Sequence, residues 1–411
     1  MVLLAIVYMF NFIDRQILAI LLPAVQGEFG FSDLWGGLLT GTAFALFYVT
    51  LGIPIARIAD RVNRRNLIAL AVAVWSGMTA LCGVAATTWQ LALARIGVGV
   101  GEAGCSPPAH SIISDLYPPE QRSTAMGFYS LGISVGIAIA YMAGGWVAQN
   151  IGWREAFLMV GIPGLALAAV VWLTMTEPQR GASEQRSASN DQPAFGEVLR
   201  YLATQRSFWH MCIGAGLSSF IGYAVVNWTP SFLARSFGMT IDVSGFWLGL
   251  IIGSTVSIGY LAGGYVMDRV AGGGRRRSFN VLAVSMLVTA GLYAVMFLAS
   301  SAVWVFLLMI IPSIISNAYL PTVFAQVQGL VTLRMRAVAS AIMLLLINVI
   351  GLAMGSPVTG AISDALQPAY GDESLRYALV IVCAVILPWA ALHYYLAGRT
   401  VDAELARARN G

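Results

Sequence analysis

Four ionisable residues lie inside apolar runs: Asp14, Arg15, Arg95 and Glu102. A charge at bilayer depth costs at least about 2.5 kcal/mol, so such residues are functional by default. Their chemistry is proton transfer and charge exchange. Burial disfavours a charged carboxylate and a neighbouring arginine favours it, so an acid held between the two can take up and release a proton. Protonation would free an arginine for another acid or for an anionic ligand, and that exchange couples a proton to a change of conformation. Asp14 is expected to be the proton site and Glu102 to be more firmly paired with an arginine. In the alternative reading the two arginines neutralise the two acids and lock their helices together. Arg95 and Glu102 are seven residues apart, which places them on one helix face about 10 Å apart along the axis. Asp14 and Arg15 are adjacent and point about 100° apart. His110 follows Pro107 and Pro108 in the same segment, either as a proton relay or as a packing histidine.

The elements that position these residues follow from composition. The chain has 411 residues, 58% hydrophobic and only 10% charged, and its mean hydropathy is +0.77. Ordinary soluble domains carry about 25% charged residues, so most of this surface must face lipid. A spanning helix needs roughly 20 apolar residues. Hydropathy places spans at 1–22, 32–58, 66–86, 89–113, 123–148 and 153–175, then at 207–235, 243–267, 279–299, 302–331, 336–362 and 376–398. The expected fold is an all-α membrane protein of twelve transmembrane helices in two six-helix bundles. The bundles are 1–176 and 207–398, joined by a polar cytoplasmic linker at 177–206, with a cytoplasmic tail at 399–411. Asp14 and Arg15 in the first segment argue against a cleaved signal peptide.

All 23 basic residues are arginine. The absence of lysine excludes a Walker-type phosphate loop and a lysine Schiff base, so energy must come from a gradient or from a partner that hydrolyses ATP. With the N-terminus placed in the cytoplasm, only Arg154, Arg235 and Arg376 fall in outside loops, and the inside loops and tail hold most of the rest. This asymmetry places both termini inside. It also assigns the basic charge to topology rather than to nucleic acid. Cys82, Cys105, Cys212 and Cys383 form no CxxC pair, and the 3 histidines make no metal-ligand pattern.

A repeat joins the two halves. Asp60-Arg61, followed by Arg64 and Arg65, ends the second span, and Asp268-Arg269, followed by Arg275 to Arg277, ends the eighth. Gly30 precedes Asp60 by the same interval at which Gly238 precedes Asp268. Parallel repeats of six spans mark a large transporter class. Each acid can sit at the positive N-terminus of a helix, Asp60 near Arg336 and Asp268 near Arg122, as a cytoplasmic gate. Spans 7, 10 and 11 of the second half carry no deep charge but offer Tyr223, Asn227, Trp228, Asn317, Tyr319 and Asn348, which either line a substrate path or bond between helices. Glycine pairs at Gly97/Gly101, Gly132/Gly136 and Gly351/Gly355 predict close helix packing.

The loop around Asp60 resembles the signature loop of the major facilitator superfamily, with Ala56 and Asn63 departing from its pattern. The chain further resembles the spinster branch, in Asn11-Phe-Ile-Asp14-Arg15-Gln16, in the run from Arg95 to Glu102, and in Gly152-Trp153-Arg154-Glu155-Ala156-Phe157. Asp-Arg in the first span also occurs in the branch that carries hexuronates and similar organic anions. The resemblance implies alternating access, a cavity lined by spans 1, 4, 7 and 10, and proton-linked movement of a sphingoid or lysophospholipid. The expected partners are protons, that lipid and the surrounding membrane lipids, with no cofactor, no metal and no nucleic acid. The expected form is a monomer in a bacterial inner membrane. The alternative is a proton-coupled symporter of a small organic anion, with Arg15 and Arg95 as its clamps. A membrane-embedded enzyme would need a catalytic constellation at one depth, and the charged residues offer none.

Overall fold

The computed structural model describes residues 1–59, 61–179, 195–272, 274–332 and 335–410. Asp60, and the side chain of Asp268, lie outside the described residues. In chain order the helices are α1 (Val2–Phe29), α2 (Asp33–Gly37), α3 (Ala43–Ala59), α4 (Arg64–Gly83), α5 (Thr88–Glu102), α6 (Ser106–Leu116), α7 (Pro119–Asn150) and α8 (Trp153–Thr174). They continue with α9 (Phe195–Thr204), α10 (Arg206–Phe237), α11 (Ile241–Ala271), α12 (Arg275–Phe297), α13 (Ala302–Asn317), α14 (Tyr319–Gly329), α15 (Arg336–Ile347), α16 (Gly355–Tyr370) and α17 (Ser374–Asn410). Among the described residues there is no strand.

Ten stretches among the described residues are long and apolar enough to cross a membrane. The tenth, Val338–Arg407, runs for 70 residues and contains the last two expected spans. The expected fourth span is divided between α5 and α6. Pro107 lacks an N–H for the carbonyl of Ala103 and its ring collides with that turn, so the helix stops at Glu102 and restarts at Ser106. The architecture is therefore an all-helical, multi-pass membrane fold consistent with twelve spans.

Local signals explain the ends. Thr87 Oγ1 accepts from Gln90 N at the start of α5, and Asn63 Oδ1 accepts from Asn66 N at the start of α4. The repeat seen in the sequence is also a repeat of backbone conformation. Gly30 ends α1 at φ 66° and Gly238 ends α10 at φ 60°, the left-handed cap that glycine adopts without a Cβ penalty.

The chain divides into two compact units. The first comprises Met1–Ala188 with Asn227–Gly253, and the second Ser189–Val226 with Ser254–Gly411. In the first unit, glycines draw the helices together. A Cβ on Gly132 would lie 2.8 Å from Ala5 O on α1, and one on Gly101 would lie 2.6 Å from Trp75 N on α4. Gly245, Gly249 and Gly253, spaced by four, bring α11 against Tyr141, Ala138 and Ser134 of α7. In the second unit, Gly351 and Gly355 admit Ser219 and Phe220 of α10. The stretch expected to be a plain linker contains α9, which buries Val198 and Leu202 and donates a bond from Tyr201 Oη to Leu330 O at 2.9 Å. Burial, with Glu404 close by, pushes the Tyr201 hydroxyl above its ordinary pKa. The expected tail is the helical end of α17. Its Glu404 accepts from Arg206 N, Ser207 N and Ser207 Oγ, and its Asp402 accepts from Arg275 N and Arg276 N.

Candidate functional site

Helices α1, α3, α4 and α5 of the first unit converge on the four buried charges. Gly101 seats α5 against Trp75 of α4, and Gly99 seats it against the backbone of Phe44 in α3. A side chain at either position would force those helices apart, so the glycines fix how closely α5, which carries Arg95 and Glu102, packs on α3 and α4. Asp14, Arg95 and Glu102 are fully buried, and Arg15 nearly so.

The cluster divides unequally. Arg15 donates from Nη2 to Glu102 Oε2 at 2.6 Å and from Nε to the same oxygen at 3.1 Å. It also reaches Asn11 Oδ1 at 3.3 Å. Three rings surround the guanidinium, with Phe12 and Phe44 both at 4.8 Å and Tyr48 at 5.0 Å from its central carbon. Such aromatic faces stabilise a desolvated cation by up to about 2 kcal/mol.

Arg95 takes a different role. It donates from Nη1 to the backbone oxygen of Asp14 at 3.0 Å and from Nη2 to that of Arg15 at 3.3 Å. A helical carbonyl has a second lone pair free for such a bond, so Arg95 ties α5 to α1 while its charge stands beside Asp14. The Asp14 carboxylate accepts one bond, from Trp75 Nε1 to Oδ2 at 3.2 Å. The hydroxyl of Thr79 stands beside the same carboxylate. The two acids therefore differ in kind. Glu102 is held by a charged fork, and Asp14 by the neutral side chains of Trp75 and Thr79 and the field of Arg95.

His110 stands on α6 with an exposed ring packed edge-on against Tyr129 at 5.6 Å. Tyr129 stacks on Tyr8 of α1 at 4.1 Å, and Tyr8 meets Phe12. A chain of rings thus runs from His110 towards Arg15.

The residues expected at the gate are placed as follows. Arg61 is exposed. Arg64 is buried and donates to Asp115 Oδ2 at 2.5 Å, Glu177 Oε1 at 2.7 Å, Ser111 Oγ at 2.7 Å and Pro178 O at 3.0 Å. This fork latches the start of α4 to α6 and to the chain after α8. Arg65 N donates to Glu177 Oε2. Arg122 donates to Tyr117 O and Ser114 O at the end of α6, and Arg336 to Gln328 O. Arg269 lies over the ring of Tyr265.

Of the residues considered for a substrate path, Asn227 and Trp228 belong to the first unit, where Trp228 packs over Gly36. Tyr223, Asn317, Tyr319 and Asn348 belong to the second. There Tyr319 lies close to Tyr223, Tyr260 and Tyr394, and Asn317 and Asn348 each donate to the carbonyl four residues earlier in their own helix.

Sequence reasoning missed two further charged constellations in the first unit. Arg235 grips Asp33 with Nη1 at 2.7 Å and Nη2 at 2.5 Å, and its Nη2 also reaches Gln26 Oε1 at 2.9 Å. Arg154 pairs with Glu28 at 2.5 Å, and Trp153 Nε1 donates to the same oxygen. The Glu28 to Arg154 pairing joins segments far apart in sequence, and neither spacing nor period announces it. The repeat of Phe-Gly before Asp33 and before Asp242 could have pointed to the Asp33 end.

Comparison with known proteins places this geometry in a family. The model of the Major Facilitator Superfamily matches residues 4–356. An MFS-type efflux pump of Mycolicibacterium smegmatis is 30% identical over 96% of this chain and 91% of its own length. A probable L-galactonate transporter of Escherichia coli is 27% identical over 67% of this chain and 62% of its own length. Among solved structures, a bacterial homologue of the human lysosomal transporter spinster, in an inward-facing and unoccupied conformation, superposes with a TM-score of 0.89 at 32% identity. That match covers 98% of this chain and 97% of the other. With an all-helical multi-pass fold, a paired repeat and a buried charge cluster in its first unit, the chain belongs to the Major Facilitator Superfamily as a spinster-related transporter, not an enzyme.

Proposed function

We propose that the chain is a proton-coupled secondary transporter that works by alternating access and moves an amphipathic lipid of the sphingoid or lysophospholipid kind. The observation that carries this reading is the inequality of the two buried acids. Glu102 holds two N–H donors from the charged Arg15 guanidinium, whereas Asp14 takes its bond from the neutral Trp75 indole. Asp14 is the proton carrier in this reading. Protonation there removes the negative charge beside Arg95, whose guanidinium rests on the carbonyls of α1, and so alters what holds α1 against α5. Arg15 and Glu102 form the paired reserve that exchanges partners when the charge at Asp14 changes, and His110 is the relay by which that proton reaches solvent.

The lipid assignment rests on chemistry and likeness. Tyr223, Asn227, Trp228, Asn317, Tyr319 and Asn348 are neutral and partly aromatic, and suit an apolar tail beside a polar head. The resemblance of the span-1 and span-4 residues to the spinster branch implies the same assignment. Asp60, Arg61, Arg65, Asp268, Arg269, Arg122 and Arg336 form the cytoplasmic gate, with Arg64 bracing it through its latch. The protein works as a monomer in a bacterial inner membrane with both termini cytoplasmic.

A second reading, symport of a small organic anion, is favoured by the similarity to the probable L-galactonate transporter. In it Arg15 and Arg95 bind the carboxylate. Purified protein in liposomes, offered a radiolabelled sphingoid base, a lysophospholipid or a hexuronate, separates the two. Uptake of either lipid and not the hexuronate is expected, and uptake of the hexuronate alone would replace the lipid reading with the anion reading.

A further inference from the structure

His210 on α10 and His393 on α17, both in the second unit, bring their Nδ1 atoms to 3.0 Å from each other. The ring centroids are 5.1 Å apart and the ring planes tilt by 49°. Both rings are half-buried. Two neutral imidazoles at this distance share one proton, because one Nδ1 donates to the lone pair of the other. Among the described residues, neither ring has a protein partner on Nε2.

We propose that His210 and His393 form a two-histidine clamp for a divalent transition-metal ion, which ties the start of α10 to α17. The geometry is near what such an ion needs. Metal–nitrogen bonds of about 2.0–2.1 Å put two ligand nitrogens about 3.3 Å apart in a tetrahedral site and about 2.9 Å apart at a right angle. The observed 3.0 Å lies between these values, so a metal enters with a movement of a few tenths of an ångström. The protonation states also balance. Each neutral ring keeps one N–H, and binding places it on Nε2 in both rings, so both Nδ1 lone pairs face the metal and no net proton is released.

The surroundings set the ligand number. Glu404 is the acid close to His210. Its carboxylate is already engaged by Arg206 N, Ser207 N and Ser207 Oγ, so the remaining positions go to water. The ring of Trp389 lies 6.2 Å from that of His393 and walls one side. A soft or borderline ion that accepts imidazole, such as Zn(II), Ni(II) or Cu(II), fits this donor set, and Mg(II) or Ca(II), which prefer oxygen, do not.

The test uses tag-free, chelator-stripped protein in detergent. Calorimetric titration with Zn(II) is expected to give one equivalent per chain. His210→Ala and His393→Ala should each weaken it by about tenfold or more, since even outer-shell changes at metal sites cost that much, and His110→Ala should leave it unchanged. In unaltered protein, one equivalent of Cu(II) should give a paramagnetic resonance spectrum with two coordinated imidazole nitrogens. That measurement stands even if a variant fails to fold. Zn(II) affinity unmoved by either substitution, affinity lost with His110→Ala, or a Cu(II) spectrum with fewer than two imidazoles would each overturn the clamp.

Discussion

Removing either partner of the Arg15–Glu102 pair should not cost the same, and the difference can be worked from the site. Breaking a buried ion pair costs about 3–5 kcal/mol when it strands the surviving charge. Arg15→Ala leaves Glu102 without its bonded cation. Its Oε2 loses both donors, and only the nearby Asn11 amide and the more distant charge of Arg95 remain. The full cost of about 3–5 kcal/mol is expected. Glu102→Gln leaves Arg15 in better company. The guanidinium keeps Asn11, the faces of Phe12, Phe44 and Tyr48, and the amide oxygen of the new glutamine as acceptor. Aromatic contacts of up to about 2 kcal/mol when desolvated bring the expected cost to roughly 1–3 kcal/mol. The double substitution Arg15→Ala with Glu102→Gln removes both charges. It should be less destabilising than Arg15→Ala alone, because an ion pair replaced by apolar or neutral groups is often neutral. The coupling energy from the cycle should then be at least about 1 kcal/mol. Thermal unfolding of the four proteins in one detergent at fixed pH measures it. Equal losses for the two single substitutions, or a double substitution equal to their sum, would refute the reasoning from stranded charge and cage.

Other outcomes follow from particular contacts. Gly245→Ala places a Cβ under 3.0 Å from the backbone oxygen of Tyr141 and should destabilise by about 1–3 kcal/mol. Gly291→Ala on α12, with nothing within 4 Å, should raise stability by up to about 1 kcal/mol, and the two melting curves side by side check the contrast. Glu404→Gln weakens acceptance from Arg206 N, Ser207 N and Ser207 Oγ, and a loss of about 0.5–2 kcal/mol should appear as faster proteolysis near residue 206. Arg64→Lys keeps the charge but cannot span Asp115, Glu177, Ser111 and Pro178 at once. It should therefore melt lower than the parent, because a point charge does not replace a planar fork.

The charged site was legible in the sequence because a charge inside an apolar run has no bland explanation. Asp14, Arg15, Arg95 and Glu102 stand out from composition alone. Their pairing was not legible. Arg95 and Glu102 share a helix face, yet Glu102 turns to Arg15 and Arg95 to two carbonyls, and this depends on where α1 crosses α5. Gly99 and Gly101 fix how α5 sits against α3 and α4, and nothing in the sequence announces where α1 then meets it. The aromatic cage was hidden for a different reason. Phe12, Phe44 and Tyr48 sit in spans rich in aromatic residues, where no period marks one as special. Glu177 read as the start of a polar linker, and only the fold brings it to Arg64. The spacing Gly245, Gly249 and Gly253 was open to inspection as plainly as Gly97 and Gly101. The helix α9 carried its own signal in Val198 and Leu202, one turn apart, but the polar residues before it masked the pattern.

The most direct measurement of the central claim is proton-driven lipid movement in liposomes, with unaltered protein and Asp14→Asn run together under an imposed pH gradient. The account predicts that a labelled lysophospholipid or sphingoid base moves with the gradient in the unaltered protein. It predicts that Asp14→Asn still exchanges lipid at equilibrium but no longer responds to the gradient. Gradient-driven movement preserved in folded Asp14→Asn would contradict the assignment of the proton to Asp14, and no lipid movement by folded, unaltered protein would contradict the lipid transporter itself.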